Sequence, residues 1–182
     1  LSAEDLLATP KLMRSQWLYD FLSRYETIVS RHVDWVPFEF SDQKVLEIGS
    51  GPMLGWAPLA IFCGAREYVC VEPRYEESAV FSKPILDKYF LPLHKDLCAL
   101  YGNNLDFATF IDRIRSRVTV HKTELLRAPL EDEFDINISN SCLEHIFPLD
   151  KSIERLSEVL KSGGRFLHLV DFGNHRPTTN PF

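Results

Sequence analysis

Two glycines and two carboxylates are the first residues in this 182-residue chain whose types and spacing can do chemistry. Gly49 and Gly51 come directly after Lys44-Val45-Leu46-Glu47-Ile48, a short β-branched run that reads as a buried strand. Glycines in that place let the backbone turn tightly and bring a ligand close to the N–H groups of the next helix. A GxG alone also serves dinucleotides and plain turns, and two details narrow it. Glu47 stands two residues before Gly49, and position 54 is a leucine where a GxGxxG dinucleotide fingerprint needs glycine. A carboxylate at a strand tip repels a pyrophosphate but can hold an ammonium, directly or through water. The pocket therefore suits a cationic, phosphate-free nucleoside. Glu72 ends a second strand 21 residues beyond Gly51, where a carboxylate can accept both hydroxyls of a ribose. Each such charge-assisted bond is worth roughly 1.5–3 kcal/mol.

The elements that must position these residues follow from the pattern around them. After Lys44 to Ile48, an apolar helix is expected from about Leu54 to Cys63, closed by Gly64, and then a strand over Tyr68 to Val71. Strand, glycine turn, helix and strand within about 30 residues make a βαβ unit, which implies a parallel sheet with a right-handed crossover. Glu76 to Arg117 is rich in helix formers and punctuated at Pro84, Pro92 and Gly102-Asn103-Asn104, so two or three helices are expected. It exceeds what one crossover needs, and part of it reads as an insertion over one face or mouth of the sheet. Val118 to His121 and Phe134 to Ser139 read as the third and fourth strands. Leu149 to Leu160 reads as a helix stopped by Ser162-Gly163-Gly164, with a fifth strand over Arg165 to Val170.

Upstream, Met13, Trp17, Leu18, Phe21, Leu22, Tyr25, Ile28 and Val29 recur at three and four, the spacing of a long amphipathic helix over Lys11 to Val33. Pro10 suits its first turn, and Ser2 with Asp5 suggests a short helix before it. We divide the chain into an N-terminal helical cap over 1–40 and an α/β domain over 41–182. The cap can cover a bound ligand, with Trp17, Tyr19 and Phe21 as aromatic contacts, although aromatics at helical spacing commonly serve as core.

Composition narrows the partners. With 45% apolar and 25% charged residues the chain reads as a soluble globular domain, and 26 acidic against 20 basic residues leave a net charge of -6. That balance repels a polyanion at long range, against a nucleic-acid substrate or an anionic membrane surface. No stretch approaches the roughly 20 apolar residues of a spanning helix. Leu1 to Pro10 carries two acids and no basic region, so no signal peptide is read there and a cytoplasmic location is expected. Cys63, Cys70, Cys98 and Cys142 form no CxxC pair and read as free thiols in a reducing compartment. His168, Asp171 and His175 fall in an HxxDxxxH spacing, but nothing completes a metal set, and no metal is expected.

Taken together, VLEIGSGP at 45–52 and VEP at 71–73 resemble the first and second motifs of the class I S-adenosylmethionine-dependent methyltransferases, of the type 11 kind. Phe134-Asp135 through Asn140-Ser141-Cys142-Leu143-Glu144-His145-Ile146 is similar to that family's fourth-strand segment, and LSEVLKSGG at 156–164 to the helix and turn before its fifth strand. The resemblance implies a Rossmann-like, doubly wound parallel sheet in order 3-2-1-4-5 and S-adenosyl-L-methionine as cofactor. It implies a cofactor site of Glu47, Gly49, Ser50, Gly51, Glu72, Pro73 and Asn140, with adenine contacts from Glu124 and Leu125. Pro52 stands where the family's third motif glycine is usual. The family sheet has seven strands, and the 11 residues after Asp171 cannot form the final pair. Either the fold is shortened or the chain is a fragment, and further residues or another chain are expected to cover the fifth-strand edge.

The implied reaction is a displacement at a sulfonium methyl, in which the protein aligns and desolvates the nucleophile. An alcohol must also lose a proton, and His145, Asp171 and His175 are the candidate bases, with His168 a further histidine in mid-strand. The expected function is methyl transfer to a small molecule at oxygen. GGRFLHLVDFGNH at 163–175 is similar to a segment of methyltransferases of sugar and polysaccharide biosynthesis. The competing readings are a cofactor-binding subunit without activity of its own and a nicotinamide-dependent oxidoreductase, the latter opposed by Glu47 and the missing glycine at 54.

Overall fold

Lys44–Ile48 forms β1, buried at all five positions. Such a run, buried on both sides, belongs in the middle of a parallel sheet covered on both faces. In this computed structural model residues 39–131 and 133–172 are described, with positions 7, 8, 23, 27, 30 and 31 before them. The helices read over Ser2–Asp5 and Lys11–Val33, Trp17, Tyr19 and Phe21, almost all of the cap over 1–40, and His175 lie outside the described residues.

β2 (Glu67–Val71), β3 (Val118–His121), β4 (Phe134–Asn140) and β5 (Leu160–Leu169) join β1 in a five-stranded sheet of order β3-β2-β1-β4-β5. Every pairing is parallel, as expected. Over residues 39–172 the α-helices are α1 (Ala57–Phe62), α2 (Glu77–Val80), α3 (Lys83–Ile85), α4 (Leu91–Tyr101), α5 (Phe107–Arg117) and α6 (Leu149–Glu158). Alternation along the strands divides the core in two. Val45, Tyr68, Cys70, Ile136 and Ile138 pack with Leu59 of α1, Leu93 and Leu97 of α4 and Phe110 and Ile114 of α5. On the other face Leu46, Ile48, Val69 and Val71 pack with Leu125, Leu130, Leu143 and Leu156 of α6. Each fully buried leucine or phenylalanine contributes about 1.5–3 kcal/mol.

The segment over 76–117 breaks into more pieces than two or three helices. Between α3 and α4 the chain makes a wide π turn over Leu86–Phe90, next to Pro92 in the first turn of α4. Pro92 has no N–H to continue an α-helical ladder, and the wider turn accommodates the gap. Phe90, Leu93 and Leu97 nevertheless reach the first core, so this segment covers one face of the sheet. α5 starts where the Asp106 carboxylate accepts the Thr109 N–H at 2.9 Å, an N-cap.

Several expected boundaries move, the largest at the start of β5, which begins at Leu160 and not at Arg165. The helix expected from Leu54 begins at Ala57, because Leu54 and Gly55 take φ values of 66° and 49° and prolong the glycine turn. The helix expected to run to Leu160 and stop at the glycines ends at Glu158 instead. The Phe134 N–H donates to Val159 O at 2.7 Å, and Leu160 already pairs with Phe134, so β4 draws the chain into the sheet first. Ser162-Gly163-Gly164 then forms a bulge inside β5: the step from Leu160 to Arg165 answers the step from Phe134 to Ile136, and Gly163 takes φ 78°. Among the described residues β5 pairs with β4 alone. No helix among them is long and apolar enough to cross a membrane.

At the amino ends of the strands, Asp135 joins three segments. Its Oδ2 accepts the Lys44 N–H at 2.7 Å and Arg66 Nη2 at 3.3 Å, and its Oδ1 accepts Lys161 Nζ at 2.7 Å.

Candidate functional site

The chain leaves β1 in one direction through β2 and β3 and returns through β4 and β5 on the other side. The loops after β1 and β4 therefore part at the carboxyl edge, where open α/β sheets bind ligands. They also touch. Gly49, at φ 71°, donates its N–H to Val71 O at 2.9 Å, and a Cβ built on it would lie 2.4 Å from Cys142 Sγ. Only glycine fits that contact. Gly51, at φ 66°, has the opposite surroundings, since a Cβ there would meet nothing within 4 Å. Its N–H donates to Glu72 Oε2 at 2.8 Å, and Glu72 Oε1 accepts the Arg74 N–H at 2.9 Å.

Glu47 holds the same loop from below. Its side chain is 2% exposed, and Oε2 accepts the Trp56 N–H at 3.0 Å and the Tyr68 hydroxyl at 2.7 Å. A Cβ on Gly55 would lie 2.3 Å from Oε1, so the carboxylate lies hard against the loop. Burial pushes the Glu47 carboxyl up to about 7 against the two hydrogen bonds that lower it, and the charge of Glu72 adds to the rise. The observed contacts of Glu47 are thus with the protein. Tyr68 was missed in the sequence; its place beside Glu47 follows from the β1–β2 register, Val45 with Tyr68 and Glu47 with Cys70, which puts Glu47 and Tyr68 on one face of the sheet.

Of the other expected cofactor residues, Ser50 is buried at 7% exposure within the loop, and Pro73 is exposed just past Glu72. Asn140 closes β4, half-buried. The two residues assigned to adenine part company. Glu124 is exposed, whereas Leu125 is packed into the second core with Val69 and Val71, so its side chain serves packing.

After β4, Ser141 takes φ 48° and Leu143–His145 makes a single 3-10 turn. His145 is exposed there. Glu144 Oε1 accepts the Asp171 N–H at 3.2 Å, which draws the end of β5 toward the turn bearing His145. His145 and Asp171 thus share one edge. His168 is set apart: its Nδ1 lies 2.7 Å from Ser139 Oγ, and burial pulls its pKa down to about 4, so its ring is neutral at pH 7. Cys142 is no thiolate, since burial and the charges of Glu72, Glu144 and Glu47 push it up to about 12.

Residues 46–168 match the family described as Methyltransferase domain, about two thirds of the chain. The chain belongs to that family. S-adenosylmethionine is the cofactor that this membership implies. A Methanococcus maripaludis protein ascribed to the S-adenosyl-L-methionine-dependent methyltransferases shares the fold with a TM-score of 0.52 at 16% identity, over 94% of this chain and 64% of that one. A Listeria monocytogenes protein of the same ascription matches at TM-score 0.46 and 18% identity, over 73% and 47%. A Galdieria sulphuraria protein ascribed to sarcosine dimethylglycine methyl transfer matches at 0.48 and 16%, over 81% and 43%. The chain spans about half to two thirds of the length of these structures. No curated protein matches it.

The residues of this methyltransferase domain fit the cofactor on an observation independent of the family. Gly51 faces open space beside a carboxylate whose oxygens already take two N–H donors, an arrangement that a ribose diol can enter by replacing one of them.

Proposed function

We propose that this chain binds S-adenosylmethionine above β1 and β2 and transfers its methyl group to an oxygen of a small molecule, a sugar or glycan precursor, in the cytoplasm. The observation that carries the reading is the Glu72 carboxylate held at the open side of Gly51. When bound, the cofactor supplies an electrophilic methyl on a sulfonium. The chain's own residues do the rest. Glu72 accepts the ribose hydroxyls, and the Gly49-Ser50-Gly51 turn, braced by Glu47, lines the amino-acid end. Pro73 and Glu124 border the adenine, and Asn140 the side toward β4. Whichever of His145, Asp171 and His175 faces the acceptor takes the hydroxyl proton. The net charge of -6 supports a small-molecule acceptor over a nucleic acid.

Transfer from isotopically labelled S-adenosylmethionine to pooled sugars, nucleotide sugars and small acids tests this reading, alongside calorimetry with S-adenosylhomocysteine. A labelled product and saturable binding are expected; absence of binding overturns it.

One observation favours a second reading, a cofactor-binding part that works with another chain. Among the described residues nothing pairs with the outer edge of β5, where Phe166 is 42% exposed, and an open edge invites pairing. Transfer that begins only on adding a partner would select it.

A further inference from the structure

Glu47 is a carboxylate set in the interior, hard against the underside of the loop that follows β1. A glutamine could take the same two hydrogen bonds without the penalty of burying a charge. What the carboxylate adds is that charge, and its partners decide how far it is kept. The Tyr68 hydroxyl and the Trp56 N–H both donate to Oε2, at 2.7 and 3.0 Å, and such donors favour the ionised form. Burial and the charge of Glu72 favour the protonated form.

The groups that bear on Glu47 come from three directions. Tyr68 and Cys70 lie in β2 with Glu72 at its end, Tyr89 lies in the π turn, and Cys142 lies past β4. The loop 49–56 and α1 contain no ionisable side chain. Burial keeps both tyrosines and both cysteines neutral at pH 7, so of these groups Glu72 is the charged one. The opposing effects nearly balance, and the Glu47 carboxyl titrates at about 7. Tyr68 is the side chain whose hydrogen bond tips that balance toward ionisation, since the Trp56 donor is backbone.

Resting on the methyl-transfer reading, we infer that Tyr68 is a positioning residue which, through Glu47, makes this site prefer the cationic S-adenosylmethionine to its neutral product, S-adenosylhomocysteine. The two ligands share their ribose, adenine and amino-acid ends and differ by one methyl group and one positive charge. A charge beneath the loop therefore acts on that difference. No ligand atom has to reach Glu47, because its field crosses the loop backbone through an interior that screens it less than water does. Binding of the sulfonium draws the proton of Glu47 into the solvent, whereas the thioether leaves it in place. Once the methyl group has gone, the site holds what remains less tightly.

Calorimetry with each ligand on one protein preparation tests this between pH 6 and 7.3, below the titration of the ligands' own amino group at about 7.7–8. Only the ratio of the two affinities is read, so a loss of folded protein cancels. In the parent the preference for S-adenosylmethionine should grow about threefold over that range as Glu47 ionises. Tyr68→Phe keeps the ring in the core and removes the hydroxyl. At pH 7.3 it should cut the preference about twofold to fourfold, with S-adenosylhomocysteine affinity within about twofold of the parent. In Glu47→Gln the preference should be flat with pH, and adding Tyr68→Phe should leave it unchanged. At pH 7, titrations in buffers of different ionisation heat should show more protons released on S-adenosylmethionine binding to the parent than to Glu47→Gln. The inference is overturned if Tyr68→Phe weakens both ligands equally, which is loop shaping alone. A preference independent of pH in the parent overturns it too, as does a Tyr68→Phe effect that persists in Glu47→Gln. The failures are distinguishable: both ligands bound at one ratio in every variant removes the charge preference alone, and neither bound removes the methyl-transfer reading itself.

Discussion

The Glu72 carboxylate accepts the N–H of Gly51 at 2.8 Å, so the acid that ends β2 closes on the turn that ends β1. On the proposed reading, a ribose entering this crevice would exchange that bond for its own hydroxyls, and the carboxylate would lose no hydrogen bonding in the exchange. Glu72→Ala should therefore weaken S-adenosylhomocysteine binding about tenfold or more, the loss of one charge-assisted bond. Calorimetry on parent and variant measures it, and equal affinities would remove Glu72 from the site.

Gly49 cannot carry a side chain. Gly49→Ala places a Cβ 2.4 Å from Cys142 Sγ in a backbone at φ 71°. A destabilisation of about 2–4 kcal/mol is expected from overpacking with backbone strain. Urea unfolding should show Cys142→Ala restoring part of the loss in the double variant, since Sγ is the nearer of the two atoms met and the φ remains. No recovery would mean that the loops do not touch.

Glu47 and His168 should give stability two opposite pH slopes. The Glu47 carboxyl is raised to about 7 from 4.5, so between those values the folded chain holds a proton that the unfolded chain has lost, and stability falls as pH rises. The whole effect is on the order of 3 kcal/mol. His168 is lowered to about 4 from 6.5, so over that range the unfolded chain binds the extra proton and stability rises with pH. In Glu47→Gln, whose amide oxygen can still accept from Trp56 and Tyr68, the falling slope should vanish and the rising one remain. Unfolding free energies from pH 4 to 7.5 check this, and a profile unchanged by the substitution would refute it.

The proton acceptor can be sorted by kinetics. His175→Ala, His145→Ala and Asp171→Asn should be compared on a confirmed acceptor. The variant that removes the base should lose about a hundredfold or more in kcat with cofactor affinity within about threefold. Full turnover in all three would mean that no base among them is needed.

The sheet was legible in the sequence where the pattern was local. Lys44–Ile48 and Val118–His121 are strands as read, because runs of β-branched residues bounded by turns leave little choice. What escaped depended on distant partners. Nothing near Gly163 tells that β4 will already have paired with Leu160, so a turn signal was read as a helix stop. Leu125 has the position of a ligand contact in a linear motif, but its apolar side chain is drawn into the core beside Val69 and Val71. Glu47 is the clearest case. Its spacing from Gly49 was visible, while its bonds to Tyr68 and Trp56 exist only once two strands and a loop have come together.

Asp135 gives the fold a fastened end and an editable one. By drawing in the Lys44 N–H, Arg66 and Lys161 at the amino ends of the strands, it anchors β1, β4 and β5 far from where ligands enter. Strand alignment at that end owes nothing to the carboxyl edge. The exposed side chains of His145, Phe147, Pro148 and Phe172 at the other end can be redrawn with the sheet left in register, provided that Cys142 keeps its place against Gly49 and Leu143 its place in the core.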